Sequence, residues 1–138
     1  MNILFFLTPK SETAFLSADS TVRQGLEKMK HYGYSAIPLI DEQGHYVGTI
    51  TEGDFLWGVV NNIQTGIRDV DHISLKEINR KCDLQPVHIN ETIEALFERA
   101  LNQNFVPVVD DKEIFIGIVR RKEIMQYCFE RVIGSKEK

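Results

Sequence analysis

Cysteine is scarce. Cys82 and Cys128 are the only two in 138 residues, they share no CxxC spacing, and they offer no disulfide framework. Both are expected as reduced thiols that fill core space, since nothing nearby activates a thiolate. No apolar run approaches the roughly 18–20 residues that cross a bilayer. The stretch Met1 to Leu7, with Ile3, Leu4, Phe5 and Phe6, is too short and lacks the basic flank of a signal peptide. It predicts a strand or helix packed into the fold. Positive charge is not in excess. The formal net charge is −4, which disfavours nucleic acid as a partner, because that binding runs on phosphate neutralisation. His31, His45, His72 and His88 are scattered without metal-ligand spacing, and Asp69 and Asp71 beside His72 read as a solvated loop. There is no GxxxxGK[ST] loop and no GxSxG elbow, so phosphoryl transfer and nucleophilic hydrolysis find no support. These absences predict a cytoplasmic protein that is not an enzyme and holds no metal or catalytic cofactor.

What is present is globular composition, 43% hydrophobic and 26% charged, and an internal repeat. Residues 36–60, AIPLIDEQGHYVGTITEGDFLWGVV, align without a gap to residues 105–129, FVPVVDDKEIFIGIVRRKEIMQYCF. Pro38 meets Pro107, Asp41 meets Asp110, Gly48 meets Gly117, and Asp54 meets Glu123, all at an offset of 69. The chain is therefore two copies of one unit, taken as residues 1–68 and 69–138 with a polar connection at about 61–78.

Each copy has a local pattern. Val22, Leu26 and Met29 fall at i, i+4 and i+7, which predicts a helix over about Thr21 to His31 capped by Ser20 or Asp19 and ended by Gly33. In the second copy, Asn90 is the expected cap, and Ile93, Leu96, Phe97, Ala100 and Leu101 form the stripe, ended by Asn102 to Asn104. A strand Ala36–Ile40, a polar turn closing at Gly44 and a strand Tyr46–Thr51 make a hairpin pattern. Pro38 cannot donate to a ladder, so it should face an open edge. A second helix follows, led by Phe55 in copy one and Ile124 in copy two.

This order, duplicated in step, resembles the cystathionine-beta-synthase (CBS) domain pair, or Bateman module. The likeness covers nearly the whole chain. It is carried by Tyr34-Ser35-Ala36-Ile37-Pro38, by Gly48-Thr49-Ile50-Thr51-Glu52-Gly53-Asp54, by Phe105-Val106-Pro107 and by Gly117-Ile118-Val119. The resemblance implies an α/β (α+β) fold of two β-α-β-β-α domains related by a pseudo-two-fold axis, with clefts at their junction. It implies clefts that take adenosine derivatives, and pairing into homodimers through the helices at 54–61 and 123–130. With no further domain to regulate in cis, such a module acts in trans on an unidentified partner protein.

Thr51 and Asp54 admit two compatible readings. A Thr followed three residues later by an acid, before an apolar run, is a capping box. A carboxylate at a helix start also accepts bonds from both hydroxyls of a ribose, with Thr51 reaching a phosphate oxygen. Copy two departs from this, with Arg120 in place of Thr51 and Glu123 in place of Asp54. Arg is a poor cap, and Arg120, Arg121 and Lys122 crowd cations at the positive end of a helix dipole. They read either as a solvated patch or as a phosphate cluster. Glu123 is one methylene longer than Asp, so one better site and one degenerate site are expected. The resemblance places the adenine against backbone of Ser35, Ala36, Ile37 and Pro38, or of Phe105, Val106 and Pro107, with Ala14 bordering the slot. Tyr34 is either a base-stacking ring or a plain surface aromatic. Phe55 and Trp57 are core residues or dimer contacts.

Three functions remain open: a sensor of AMP, ADP or ATP; a cyclic di-AMP receptor, which the basic residues at Arg121-Lys122 would suit and Glu12 would not; and a ligand-free interaction scaffold.

Overall fold

The two hairpins lie where the pattern of apolar strands and Asp/Gly turns puts them. In the computed structural model, which describes residues 1–64, 72–81 and 83–136, the strands β3 (Ala36–Ile40) and β4 (Tyr46–Thr51) pair antiparallel. The strands β6 (Phe105–Val109) and β7 (Phe115–Arg120) pair in the same register, 69 residues on. Both hairpins carry the same irregularity, between Leu39 and Ile40 and between Val108 and Val109. Each turn is organised by its aspartate. Asp41 Oδ1 accepts the N–H groups of Gln43 at 2.9 Å and His45 at 2.8 Å. Asp110 Oδ1 does the same for Lys112 at 2.8 Å and Ile114 at 2.9 Å. The His45 N–H holds the Asp41 carboxyl below its usual range; desolvation opposes it, and the Gln43 N–H and the His45 ring add to the lowering.

Short parallel partners complete the pattern. The strand β2 (Leu16–Ser17) lies beside Leu39 and Ile40, and β5 (Val87–His88) lies beside Val108 and Val109. The proline-bearing strands are thus central rather than edge strands. The open edge expected at Pro38 exists only locally: the parallel partner begins one residue later, so neither Pro38 nor Pro107 faces a residue on that side.

Two helices flank each hairpin, α1 (Val22–Tyr32) and α2 (Glu52–Gln64) in the first copy, α3 (Ile93–Ala100) and α4 (Arg121–Lys136) in the second. The caps differ from those expected. Thr21, not Ser20 or Asp19, caps α1, because Gln24 sits three residues on and closes a capping box with it. Thr92, not Asn90, caps α3, accepting from the Ala95 N–H at 3.1 Å. Gly33 ends α1 at φ 71°, as its position suggested. Val22, Met29, Leu96 and Ala100 are buried, whereas Leu26 and Leu101 point outward. Cys128 is exposed on α4 rather than core-filling, and Cys82 lies outside the described residues.

The chain divides into two compact units, and neither is a simple half. One comprises Ala14–Asp83; the other comprises Met1–Thr13 together with Leu84–Lys138. The expected division at 68/69 falls within residues 65–71, outside those described. In the first unit, Leu16, Val22, Ile37, Leu39, Ile50 and Phe55 form a core with Ile73, Leu75 and Ile78. The stretch expected as a polar connection therefore contributes three core side chains, and it is fastened by the Val22 N–H to Ile73 O bond at 2.8 Å and the Leu75 N–H to Ser20 O bond at 2.9 Å. In the second unit, a 3-10 turn at Ile3–Phe6 buries Ile3 and Phe6 among Val87, Leu96, Val106 and Val119. There β1 (Thr8–Pro9) extends the sheet, pairing antiparallel with Gly117 and Ile118. A Cβ at position 117, where φ is 150°, would collide with the main-chain carbonyl of Thr8, so glycine is required for this approach.

Candidate functional site around Thr51 and Asp54

Strand β4 ends at Thr51 and the chain turns at once into α2. The turn is closed by the box read in the sequence: Asp54 N–H donates to Thr51 Oγ1 at 3.2 Å, and Thr51 N–H donates to Asp54 Oδ2 at 3.0 Å. The Glu52 N–H is taken by Ser35 O at 3.0 Å. Asp54 is 5% exposed, and its second oxygen also has a partner, since Oδ1 accepts the Lys81 main-chain N–H at 3.1 Å.

That contact brings a distant segment onto the box. Asn79, Arg80 and Lys81 face Thr51, Gly53, Asp54 and Trp57 across a cavity of about 440 Å³, within the range of small-ligand sites, ~300–1,000 Å³. The segment is pinned along β4. Asp83 Oδ1 accepts the Thr49 N–H at 3.0 Å and pairs with Arg80 Nε at 2.7 Å. Arg80 NH2 also donates to Val47 O at 3.3 Å. One carboxylate, two cations, an exposed indole and a helix start thus meet in a single cavity. Sequence reading had not assigned Asn79, Arg80 or Lys81 to the site, and it took Trp57 for a core or dimer residue. The adjacent cations Arg80 and Lys81 were a visible signal, but their contact with Asp54 spans 27 positions.

The expected adenine residues are placed elsewhere. Tyr34 lines a separate cavity of about 330 Å³ with Leu26, Met29, Lys30, Gly33 and Glu52. Its ring stacks parallel to Tyr32, with centroids 6.0 Å apart. Ala14 and Ala36 are half-buried and Ser35 is exposed, while Ile37 and Pro38 are buried in the sheet. Ala36 is the register partner of Thr51. Phe105 is half-buried, and Val106 and Pro107 are buried, in the other unit.

The second copy builds its turn differently. Arg121 N–H bonds to Asn104 O at 2.9 Å, matching the Glu52–Ser35 bond. No box closes there. Arg121 instead reaches back, its Nε donating to Ala100 O at 2.6 Å and its NH2 to Leu101 O at 3.4 Å. A cation badly placed for the start of α4 is well placed for the carbonyl end of α3. Among the described residues, the side chains of Arg120, Lys122 and Glu123 make no hydrogen bond or ion pair. No group of three or more potential metal ligands gathers among the described residues, and no described helix is long and apolar enough to cross a membrane.

The CBS domain family model matches residues 8–61 and 75–130. The chain is 27% identical over 111 residues to an inosine-5'-monophosphate dehydrogenase of Methanocaldococcus jannaschii, covering 80% of this chain but 21% of that enzyme's length. It is 24% identical over 121 residues to the cyclic di-AMP receptor B of Bacillus subtilis, covering 88% of this chain and 82% of the receptor. Among solved structures, CbpB in complex with c-di-AMP superposes with a TM-score of 0.83 at 21% identity, covering 99% of this chain and 90% of that one. CBSX2 of Arabidopsis thaliana in complex with AMP gives 0.73 at 20% identity, covering 94% of this chain and 96% of that one.

Proposed function

The chain belongs to the CBS domain family, with two copies of the domain in tandem, and on that premise we propose that it is a regulatory module that binds an adenine nucleotide at Thr51 and Asp54. The observation that carries this reading is the single cavity in which Asp54 faces Arg80 and Lys81. Asp54 is a two-oxygen acceptor whose Oδ2 is held by the capping box and whose Oδ1 takes the Lys81 N–H, and a carboxylate of this kind suits the hydroxyls of a ribose. Arg80, Lys81 and the first turn of α2 suit the phosphate. AMP, ADP and ATP all satisfy this chemistry. The protein acts by binding rather than catalysis, in the cytoplasm, and it shifts a partner's state only as far as its ligand distinguishes two conformations.

Cyclic di-AMP is the second reading, favoured by the likeness to receptor B over most of both chains. Within the second copy, Arg120 and Lys122, whose side chains make no hydrogen bond or ion pair among the described residues, are cations suited to a phosphate, whereas Arg121 is held by the carbonyls of Ala100 and Leu101. Self-association is part of the proposal, because Leu56 and Trp57 on α2 and Met125, Phe129 and Val132 on α4 are all more than half exposed.

Calorimetric titration with AMP, ADP, ATP and cyclic di-AMP, side by side, tests the function. One of the four is expected to bind, and at 100 times its dissociation constant to stabilise the fold by about 2.7 kcal/mol. No heat and no thermal shift with any of them would leave the scaffold role.

A further inference from the structure

The contact between Asp54 and Lys81 has a consequence for any ligand of this cavity, provided the nucleotide-binding reading holds. We propose that residues 79–81, anchored by Asp83, form a strap whose main chain competes with the ligand for Asp54. In the structure described, the Lys81 N–H occupies Asp54 Oδ1 from outside the helix, while Thr51 N–H occupies Oδ2 from within the capping box. The inner bond belongs to the turn and stays. The outer bond is the one that a sugar hydroxyl duplicates, because both are single donors aimed at the same carboxylate.

The strap is fastened by polar contacts near the surface. Its anchors include the partly exposed Arg80–Asp83 ion pair and the bonds to Thr49 N–H and Val47 O, and exposed pairs of this kind contribute little. It is also shaped to rest there. Position 48 is glycine, and a Cβ on it would meet both Asp83 Oδ1 and Arg80 Nε. The three residues that cover the carboxylate also form one wall of the cavity, so lifting them enlarges the space as it frees the oxygen. Among the described residues the second copy has no such bond, since the Glu123 side chain makes none.

Substitution at one position separates the donor from its side chain. Lys81→Pro deletes the N–H, whereas Lys81→Ala keeps it and removes only the ammonium. The proline variant is expected to bind the best of the four nucleotides about tenfold tighter than the alanine variant, the scale of one bond to a charged acceptor. In wild-type protein, the Lys81 amide resonance should shift and lose protection from exchange as nucleotide saturates the site. This second readout decides the matter if the proline variant does not fold. Binding by Lys81→Pro alone, with wild type silent, supports the strap. Equal affinity in the two folded variants, or a Lys81 amide that stays protected at saturation, overturns the strap and leaves nucleotide binding intact. Binding by none of the proteins overturns both.

Discussion

Asp54→Ala removes an anionic acceptor that serves two main-chain donors, and the cost can be worked from where those donors lie. Asp54 is 5% exposed and Thr51 is half-buried, so the Thr51 N–H loses its partner where water replaces it poorly. Such a loss costs about 1–3 kcal/mol. Lys81 is exposed, so water replaces that bond more fully and the cost is smaller. The expected total is about 2 kcal/mol, against about 1 kcal/mol for Thr51→Ala, which removes only the neutral acceptor of the cap. With an m-value of about 2 kcal/mol per molar, the urea midpoint should fall by roughly 1 M for Asp54→Ala and half that for Thr51→Ala. Trp57 is the only tryptophan, and it stands on α2 one turn beyond Asp54, so its fluorescence reports unfolding of this unit. The Ala variant should remain folded in buffer and lose nucleotide affinity. A midpoint within about 0.2 M of wild type would refute the energetic account of the box. Unchanged affinity would refute the ribose role.

Four further outcomes follow from other features. Gly117→Ala, which forces a Cβ against the Thr8 carbonyl, should cost about 3 kcal/mol in urea unfolding, from strain and the loosening of β1; a loss below about 1 kcal/mol would show that β1 yields freely. Glu113 holds φ 66° where copy one has Gly44, and its carboxylate lies 3.1 Å from His88 Nε2. Glu113→Gly relieves ~1 kcal/mol of left-handed strain but loses an exposed pair and gains unfolded-state freedom, so the midpoint should move little. A large loss there would mean that the pair matters more than an exposed pair should. Because the folded carboxyl of Asp41 is held low, its contribution is present above the unfolded value and is lost as pH falls through the folded one. The stability gap between wild type and Asp41→Asn should therefore close on acidification, and a gap that widens in acid would be the wrong sign. Phe129→Lys should yield a monomer by sedimentation with unchanged thermal stability; a wild-type protein that is already monomeric would overturn the self-association reading.

The hairpins were legible in the sequence because their signals are local. Asp41 and Gly44 mark the turn between two short apolar strands, the first carrying Pro38, and the pattern recurs 69 residues on with Asp110 and Pro107. The caps were legible only in kind. Asp19, Ser20 and Thr21 all suit a cap, and the choice falls to Thr21 because Gln24 answers it. The capping box of Thr51 and Asp54 was readable for the same reason, three residues being one turn. What sequence reading could not supply was contact across distance. Ile73, Leu75 and Ile78 alternate with polar residues, so their burial hides in a stretch that looks like a connection. Lys81 meets Asp54 through its main chain, which leaves no trace in residue identity.

The pairing of Thr8 and Pro9 with Ile118 and Gly117 bears on how the molecule is made. Thr8 and Pro9 have no strand partner until β7 has been made, more than a hundred residues later, whereas Ala14–Asp83 holds its own sheet and core by then. Closing so long a loop is slow relative to local pairing. The amino-terminal segment, with the apolar Ile3 and Phe6, therefore waits uncommitted through most of synthesis. Chaperone attention during translation should concentrate on it.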